Sequence, residues 1–321
     1  MPVYQSAKRC RKPAPTSLDT STRSVKAHLL ASLRDIHAEA QAEKLERCCT
    51  EFRVLGCQNG HVWNPIPMER CGHRLCPDCA RWRQARGFHR VFPAIQELQA
   101  RHPEDRWVLI TLTAESSDDP LPVVVKRFKK WFAKLRRTND WKRCIRGAVA
   151  GFECVYHPGQ GWHFHAHVLA SRMAWWDQAD LAASWAHVSG ELGQIVDIRA
   201  VKDLQKGVAE TLKYVMKPTN LLDWTPAQVA QFNALGRVKL RECYGAMRGL
   251  VGEIEDDGEA QIGVEPEERS LLEGDPCPTC DLPLEVRWAS REVLYGPVMV
   301  GHCLNSPPGF RGRIGGLYDS E

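Results

Sequence analysis

The sequence predicts an α+β fold with small cysteine-rich modules attached to it. Three observations carry this reading: a β-branched, apolar run at 107–113 (WVLITLT), two alternating segments (GAVAGFECVYH and GWHFHAHVLA) around His157-Pro-Gly-Gln-Gly161, and stretches of helical period on either side. A strand that is apolar on both faces belongs inside a sheet. A Pro- and Gly-containing turn between alternating segments signals a hairpin.

Residues 1–25, rich in Pro, Ser, Thr and basic residues, lack periodicity and predict a loosely attached arm. AHLLASLRDIHAEAQAEKLER predicts one amphipathic helix over 27–47. Residues 48–90 form a Cys- and His-rich module ending in a basic helix, and 91–100 continue as helix. After the 107–113 strand come a basic helix over 121–137, the hairpin, a helix near 177–189, a strand near 194–200 and a helix over 203–217 that ends at Pro218. The organisation expected is an arm and helix (1–47), a cysteine module (48–90), a central domain (91–250), an acidic linker (251–276) and a C-terminal Cys-rich module (277–321).

The net charge of +4 conceals an asymmetry. Residues 252–276 hold ten Asp and Glu against one Arg, which leaves 42 Lys and Arg against 29 Asp and Glu elsewhere, a surplus of 13. Such a basic body suits a polyanionic partner such as DNA. No run reaches the roughly 18 apolar residues of a membrane span, and MPVYQSAKRCRKPAP has no signal-peptide hydrophobic region, so a cytoplasmic protein without a membrane partner is expected. Thirteen cysteines, several at Cys-x-x-Cys spacing, point to metal rather than disulfides.

Within Gly161–Leu169 the period of two puts His163, His165 and His167 on one face and Trp162, Phe164, Ala166 and Val168 on the other. A turn centred on Gly159 places Glu153 across from His165. Two or three imidazoles and one carboxylate then converge, with Glu153 or His163 as the third ligand. This mixed donor set suits Mg²⁺ or Mn²⁺ acting on a phosphate and would also accept Zn²⁺.

On the helix over 203–217, Glu210, Tyr214 and Lys217 share a narrow arc opposite Leu204, Val208, Leu212 and Val215. A phenol is a poor nucleophile at its ordinary pKa near 10. Lys217 can supply charge to it, and Glu210 can handle a proton. Tyr-x-x-Lys is common on surfaces; here it gains weight by following a histidine strand.

WVLITLT, GWHFHAHVL and AETLKYVMKP, in this order, resemble the three motifs of HUH endonucleases, above all the one-tyrosine rolling-circle replication initiators of small bacterial plasmids. Arg74-Leu-Cys76-Pro-Asp-Cys79 matches an element often found ahead of the first motif, and the resemblance covers roughly residues 48–218. It implies a ferredoxin-like or RRM-like antiparallel sheet with helices on one side. It further implies His165 and His167 as the metal-binding pair, Tyr214 as the nucleophile that forms a 5′-phosphotyrosine and frees a 3′-OH, and Glu210 as the acid that activates water in the closing step. The implied partners are single-stranded DNA at an origin and a host helicase and polymerase, in the bacterial cytoplasm. A transposase or mobilisation relaxase of the same chemistry is the near alternative, and a non-catalytic zinc-dependent DNA-binding regulator the distant one. Relaxases usually place the tyrosine before the histidines and such transposases often carry two tyrosines; neither fits Tyr214 with Glu210.

Cys57, Cys71, Cys76 and Cys79 predict a structural zinc site, with His61 and His73 as substitutes and Cys48 and Cys49 as alternates. Cys277, Cys280 and Cys303, with His302 or a distant cysteine, predict a second. Arg81, Arg83 and Arg86 beyond the first module, and Lys126, Lys129 and Lys130 on the basic helix, are the candidate DNA contacts.

Overall fold

The computed structural model describes residues 17–193, 195–212, 218–251, 271, 273–291, 294 and 312–313 of the chain. Two helices, α1 (Ser17–Asp35) and α2 (Glu39–Arg47), stand where one is expected. The break falls at His37, whose φ of 56° is left-handed and interrupts a right-handed helix. α1 reaches into the segment read as a loose arm, and burial of Val25, Leu29 and Leu33 along one stripe fixes it to the body.

A hairpin follows, β1 (Glu51–Gly56) and β2 (His61–Pro67). Then α3 (Pro77–Arg101) runs unbroken across the boundary expected at residue 90. Pro77 opens α3, where a missing N–H leaves no bond unmade.

The central sheet is built from β3 (Arg106–Thr113), β4 (Ile145–His157), β5 (Gly161–Arg172), β6 (Ile195–Ala200) and β7 (Arg241–Gly245). Its order is β6-β3-β5-β4-β7 and every neighbouring pair is antiparallel. Between the strands lie α4 (Leu121–Leu135), α5 (Asn139–Cys144), α6 (Gln178–Ser189), α7 (Leu204–Thr211), a 3-10 turn (Pro218–Asp223) and α8 (Pro226–Asn233), and α9 (Ala246–Val251) follows β7.

Helices cover both faces of this sheet, not one as the family resemblance implies. On the first face Val108, Ile110, Phe152, Phe164 and Val168 meet Val125, Phe128 and Phe132 of α4 and Trp185 of α6. Phe128 sits edge-on to Phe164 at 5.0 Å and to Trp185 at 5.1 Å, a geometry aromatic quadrupoles favour. On the second face Trp107, Val149 and Leu169 meet Ile95 and Leu98 of α3, Val208 of α7 and Met247 of α9. The second face is therefore apolar at one end only. Along β5 the same alternation that buries Leu169 presents His167, His165 and His163 at the other end.

A second sheet has the order β8-β1-β2-β9, where β8 is Glu285–Ser290 and β9 is Gly312–Arg313. β8 pairs with β1 from Glu51↔Ser290 to Gly56↔Glu285. The cysteine modules expected separately at 48–90 and 277–321 thus contribute strands to one sheet. Arg291 reinforces the seam with a bidentate bond to Asp78 at 2.9 and 3.0 Å.

Candidate functional site

The hairpin register follows the turn centred on Gly159, where φ is 79°. Glu153 pairs with His165, and on the other side of β5 Thr113 pairs with His165 and Thr111 with His167. Partners across a sheet share a face, so these side chains meet on the open end of the second face. His165 Nε2 lies 3.0 Å and His167 Nε2 3.6 Å from Glu153 Oε2. One donor atom from each of the three residues lies within 4.8 Å of the others.

Thr111 Oγ1 is hydrogen-bonded to His167 Nδ1 at 3.3 Å, which orients the ring with Nε2 toward Glu153. Burial would raise the Glu153 pKa, but hydrogen bonds from His165 and His167 outweigh it and hold the carboxyl at about 2. An ionised oxygen and two imidazole nitrogens are thereby gathered with two side chains only 14% exposed and the third 23%. His163 stands outside this group. Its Nδ1 lies 3.5 Å from Ser116 Oγ, so of the two candidates for third donor the geometry gathers Glu153.

α7 starts at Asp203, whose carboxylate caps the Lys206 N–H at 3.1 Å. Its far end crosses the sheet at Gly151, the residue paired with His167. A Cβ on Gly151 would lie 2.0 Å from the Thr211 carbonyl oxygen, so only glycine allows this approach. Arg241, buried and paired with Gly151 from β7, donates to the Leu212 carbonyl at 3.1 Å. Gln84 of α3 reaches the Ala209 carbonyl at 3.5 Å. Glu210 is half-buried on this helix, whereas Tyr214 and Lys217 lie outside the described residues.

Thr111, Gly151 and Arg241 are functional candidates that sequence reading missed. The alternation of Thr111 and Thr113 in WVLITLT was a usable signal for the first. Nothing local distinguishes the other two.

The cysteines group differently from expectation. Cys48, Cys71, Cys76 and Cys79 form one cluster and Cys57, His61, Cys277 and Cys280 another. Cys57 sits at the end of β1, across the hairpin from the Cys71–Cys79 loop, and Cys48 after α2 takes the position expected for it. In the first cluster Cys48–Cys79 and Cys71–Cys79 are 3.6 Å apart and Cys48–Cys76 3.8 Å. Four sulfurs about 2.3 Å from a tetrahedral zinc stand about 3.8 Å apart, so this set could hold zinc. Hydrogen bonds from Cys49, Cys71, Cys76 and Cys79 pull the Cys48 thiol far down, while the bond to Cys48 pushes the Cys71 and Cys76 thiols up. His73 is hydrogen-bonded to Asn233 at 2.9 Å and lies outside both clusters. Cys303 and His302 lie outside the described residues.

The candidate DNA contacts differ in exposure. Arg81 and Arg83 are buried, and Arg83 donates to the Gly72 and His73 carbonyls, bracing the cysteine loop. Arg86 is half-buried, 5.3 Å from the Trp82 ring centre. Lys129 pairs with Glu242 at 3.1 Å and lies over Phe152. Lys126 and Lys130 are exposed, but α4 covers the sheet face opposite Glu153. A helical charge run shows that a face exists, not which side of the sheet it occupies.

Comparison with known proteins adds family relationship to this geometry. The profile of a family described as replication protein matches residues 67–262. A protein from Lactiplantibacillus plantarum named Protein rep is 27% identical over 172 residues, covering 47% of this chain and 54% of that protein. The chain thus spans about half the length of the curated relative it matches. No solved structure matches the chain.

Proposed function

This chain belongs to the replication protein family, and on that premise we propose that it starts rolling-circle replication of a bacterial plasmid by nicking and rejoining one DNA strand through a tyrosine. The observation that carries this reading is the convergence of Glu153, His165 and His167 at the open end of a sheet face, beside the point where α7 is delivered. Glu153, His165 and His167 would hold Mg²⁺ or Mn²⁺, which supplies polarisation of a phosphoryl oxygen.

Tyr214 is the nucleophile in this reading. It lies three residues beyond Thr211, and three residues span at most about 11 Å, so Gly151 and Arg241 set the nucleophile's reach to the cluster. The phenol oxygen bonds to phosphorus as the bond to the 3′ oxygen breaks, giving a 5′-phosphotyrosine and a free 3′-OH that primes a polymerase. Lys217 favours the phenolate, and Glu210 serves the later step by taking a proton from water as the strand is released. The energy of the phosphodiester is kept in the covalent link, so rejoining needs no nucleotide. Single-stranded DNA at an origin is the substrate, with host helicase and polymerase as the partners.

The test uses 5′- and 3′-labelled single-stranded oligonucleotides tiled across the DNA that encodes the protein, with Mg²⁺ or Mn²⁺. The expected result is a denaturation-resistant adduct carrying the label on the 5′-phosphate side, absent in Tyr214→Phe. An adduct of equal yield in Tyr214→Phe rejects the nucleophile. A protein that binds the DNA and never cleaves it supports the regulator instead.

A further inference from the structure

The second cysteine cluster belongs to neither the proposed chemistry nor the first zinc-like group. We infer that Cys57, His61, Cys277 and Cys280 bind one zinc ion that clasps the C-terminal segment to the N-terminal hairpin, a site split between segments 216 residues apart.

The distances fit one tetrahedral ion. Cys57 Sγ lies 3.4 Å from His61 Nδ1 and 3.5 Å from Cys280 Sγ, and Cys277 Sγ lies 3.6 Å from His61 Nδ1. Zinc bonds of about 2.3 Å to sulfur and 2.0–2.1 Å to nitrogen put tetrahedral donors about 3.8 Å (S to S) and about 3.5 Å (S to N) apart. Each half presents its donors from a tight turn. In one, the Gly60 N–H bonds to the Cys57 carbonyl at 2.9 Å, and in the other the Asp281 N–H bonds to the Cys277 carbonyl at 2.9 Å. Three thiols and one imidazole are the donor chemistry of structural zinc rather than of a hard cation.

Around the four donors themselves the buried apolar packing is slight. The apolar cluster around them has Cys57, Trp63, Cys277 and Leu284 as its buried members, and two of these four are the proposed ligands. A core this small ordinarily needs a metal or disulfide. Among the described residues the segment is also attached by the β8–β1 ladder, by β9 against β2, by Ala289 and Leu294 in the main core, and by Arg291, which pairs with Asp78 and donates to the Cys49 and Thr50 carbonyls. Asp78 lies in the first turn of α3, between Cys76 and Cys79, so the clasp also steadies the helix that carries α7.

The measurement is metal content of the full-length protein by mass spectrometry, beside amide hydrogen exchange. The inference expects two zinc ions per chain, falling to one in Cys277→Ser with Cys280→Ser. That variant should exchange the β1 and β8 amides at least tenfold faster and leave β4 and β5 unchanged. Two zinc ions retained in the variant, or one in the parent, overturns it. Should the variant be insoluble, cobalt substitution of the parent decides. A Cys₃His absorption spectrum alongside a Cys₄ spectrum supports the clasp, and a Cys₄ spectrum alone rejects it.

Discussion

Cys48, Cys71, Cys76 and Cys79 surround a point with four sulfurs, three of them on buried residues, whereas Glu153, His165 and His167 offer one oxygen and two nitrogens at the open end of a sheet face. Four thiolates complete a tetrahedral shell, so an ion held there has no position for a substrate. Three harder donors leave positions free and suit cations that work on phosphate. The supports differ as well. The cysteines come from three separate pieces of chain, a loop, a helix start and the stretch after α2. The carboxylate and imidazoles stand on two strands already locked by a continuous ladder from Phe152↔Ala166 to His157↔Gly161. One group should therefore be needed for folding and the other only for function.

The largest effect that separates them is expected from Cys76→Ser or Cys79→Ser. Either should lower zinc content and soluble yield and cost several kcal/mol, because structural metal binding is folding free energy. Unchanged thermal stability after chelation of the purified protein would remove this side of the comparison.

Next comes His165→Ala with His167→Ala. Cleavage and its divalent-metal stimulation should vanish together, while the fold costs no more than about 1–3 kcal/mol for a carboxylate that loses its hydrogen bonds. Glu153 reports the same change by titration. In the metal-free parent its pKa is depressed, so it stays ionised down to about pH 3, and in the variant the remaining influence is burial, which moves the pKa above 4.5. Carbon-13 NMR of the carboxyl reads the difference, and an unmoved Glu153 would show that the imidazoles do not set its charge.

Gly151→Ala sharpens the comparison without touching a donor. The new Cβ would press on the Thr211 carbonyl and push the end of α7 from the sheet. Cleavage should fall about tenfold to a hundredfold from misplacement of the nucleophile, at a stability cost of about 1–3 kcal/mol, with Mn²⁺ affinity unchanged by calorimetry. Equal losses in metal binding and cleavage would mean that the helix does not position a separate group.

The smallest effect is expected from Lys126→Ala with Lys130→Ala. These side chains lie across the sheet from Glu153, so nicking rates should stay within about twofold. A large, salt-dependent loss would place DNA on that face as well.

Period and turn chemistry were enough to read the hairpin, its register at Glu153 and His165, and the strand at 107–113, because alternation and a Gly turn are local properties. The cysteines are legible as metal donors by type, but spacing puts Cys57 with Cys71, Cys76 and Cys79 and Cys48 only among the alternates, whereas the fold gathers Cys48 with those three. Ligand grouping depends on which loops meet, and β8 meets β1 across most of the chain's length. Likewise the basic helix declared its charge but not its side of the sheet, and nothing local could reveal that Arg83 is spent on the carbonyls of Gly72 and His73. Close approach of α7 to Gly151, and the capture of the Leu212 carbonyl by Arg241, likewise arise only once non-adjacent strands pair. What a residue can do chemically is written in its side chain and its neighbours at one or two turns' distance; which donors share an ion, and which charge faces the site, is set by long-range packing, whose partners no local pattern encodes.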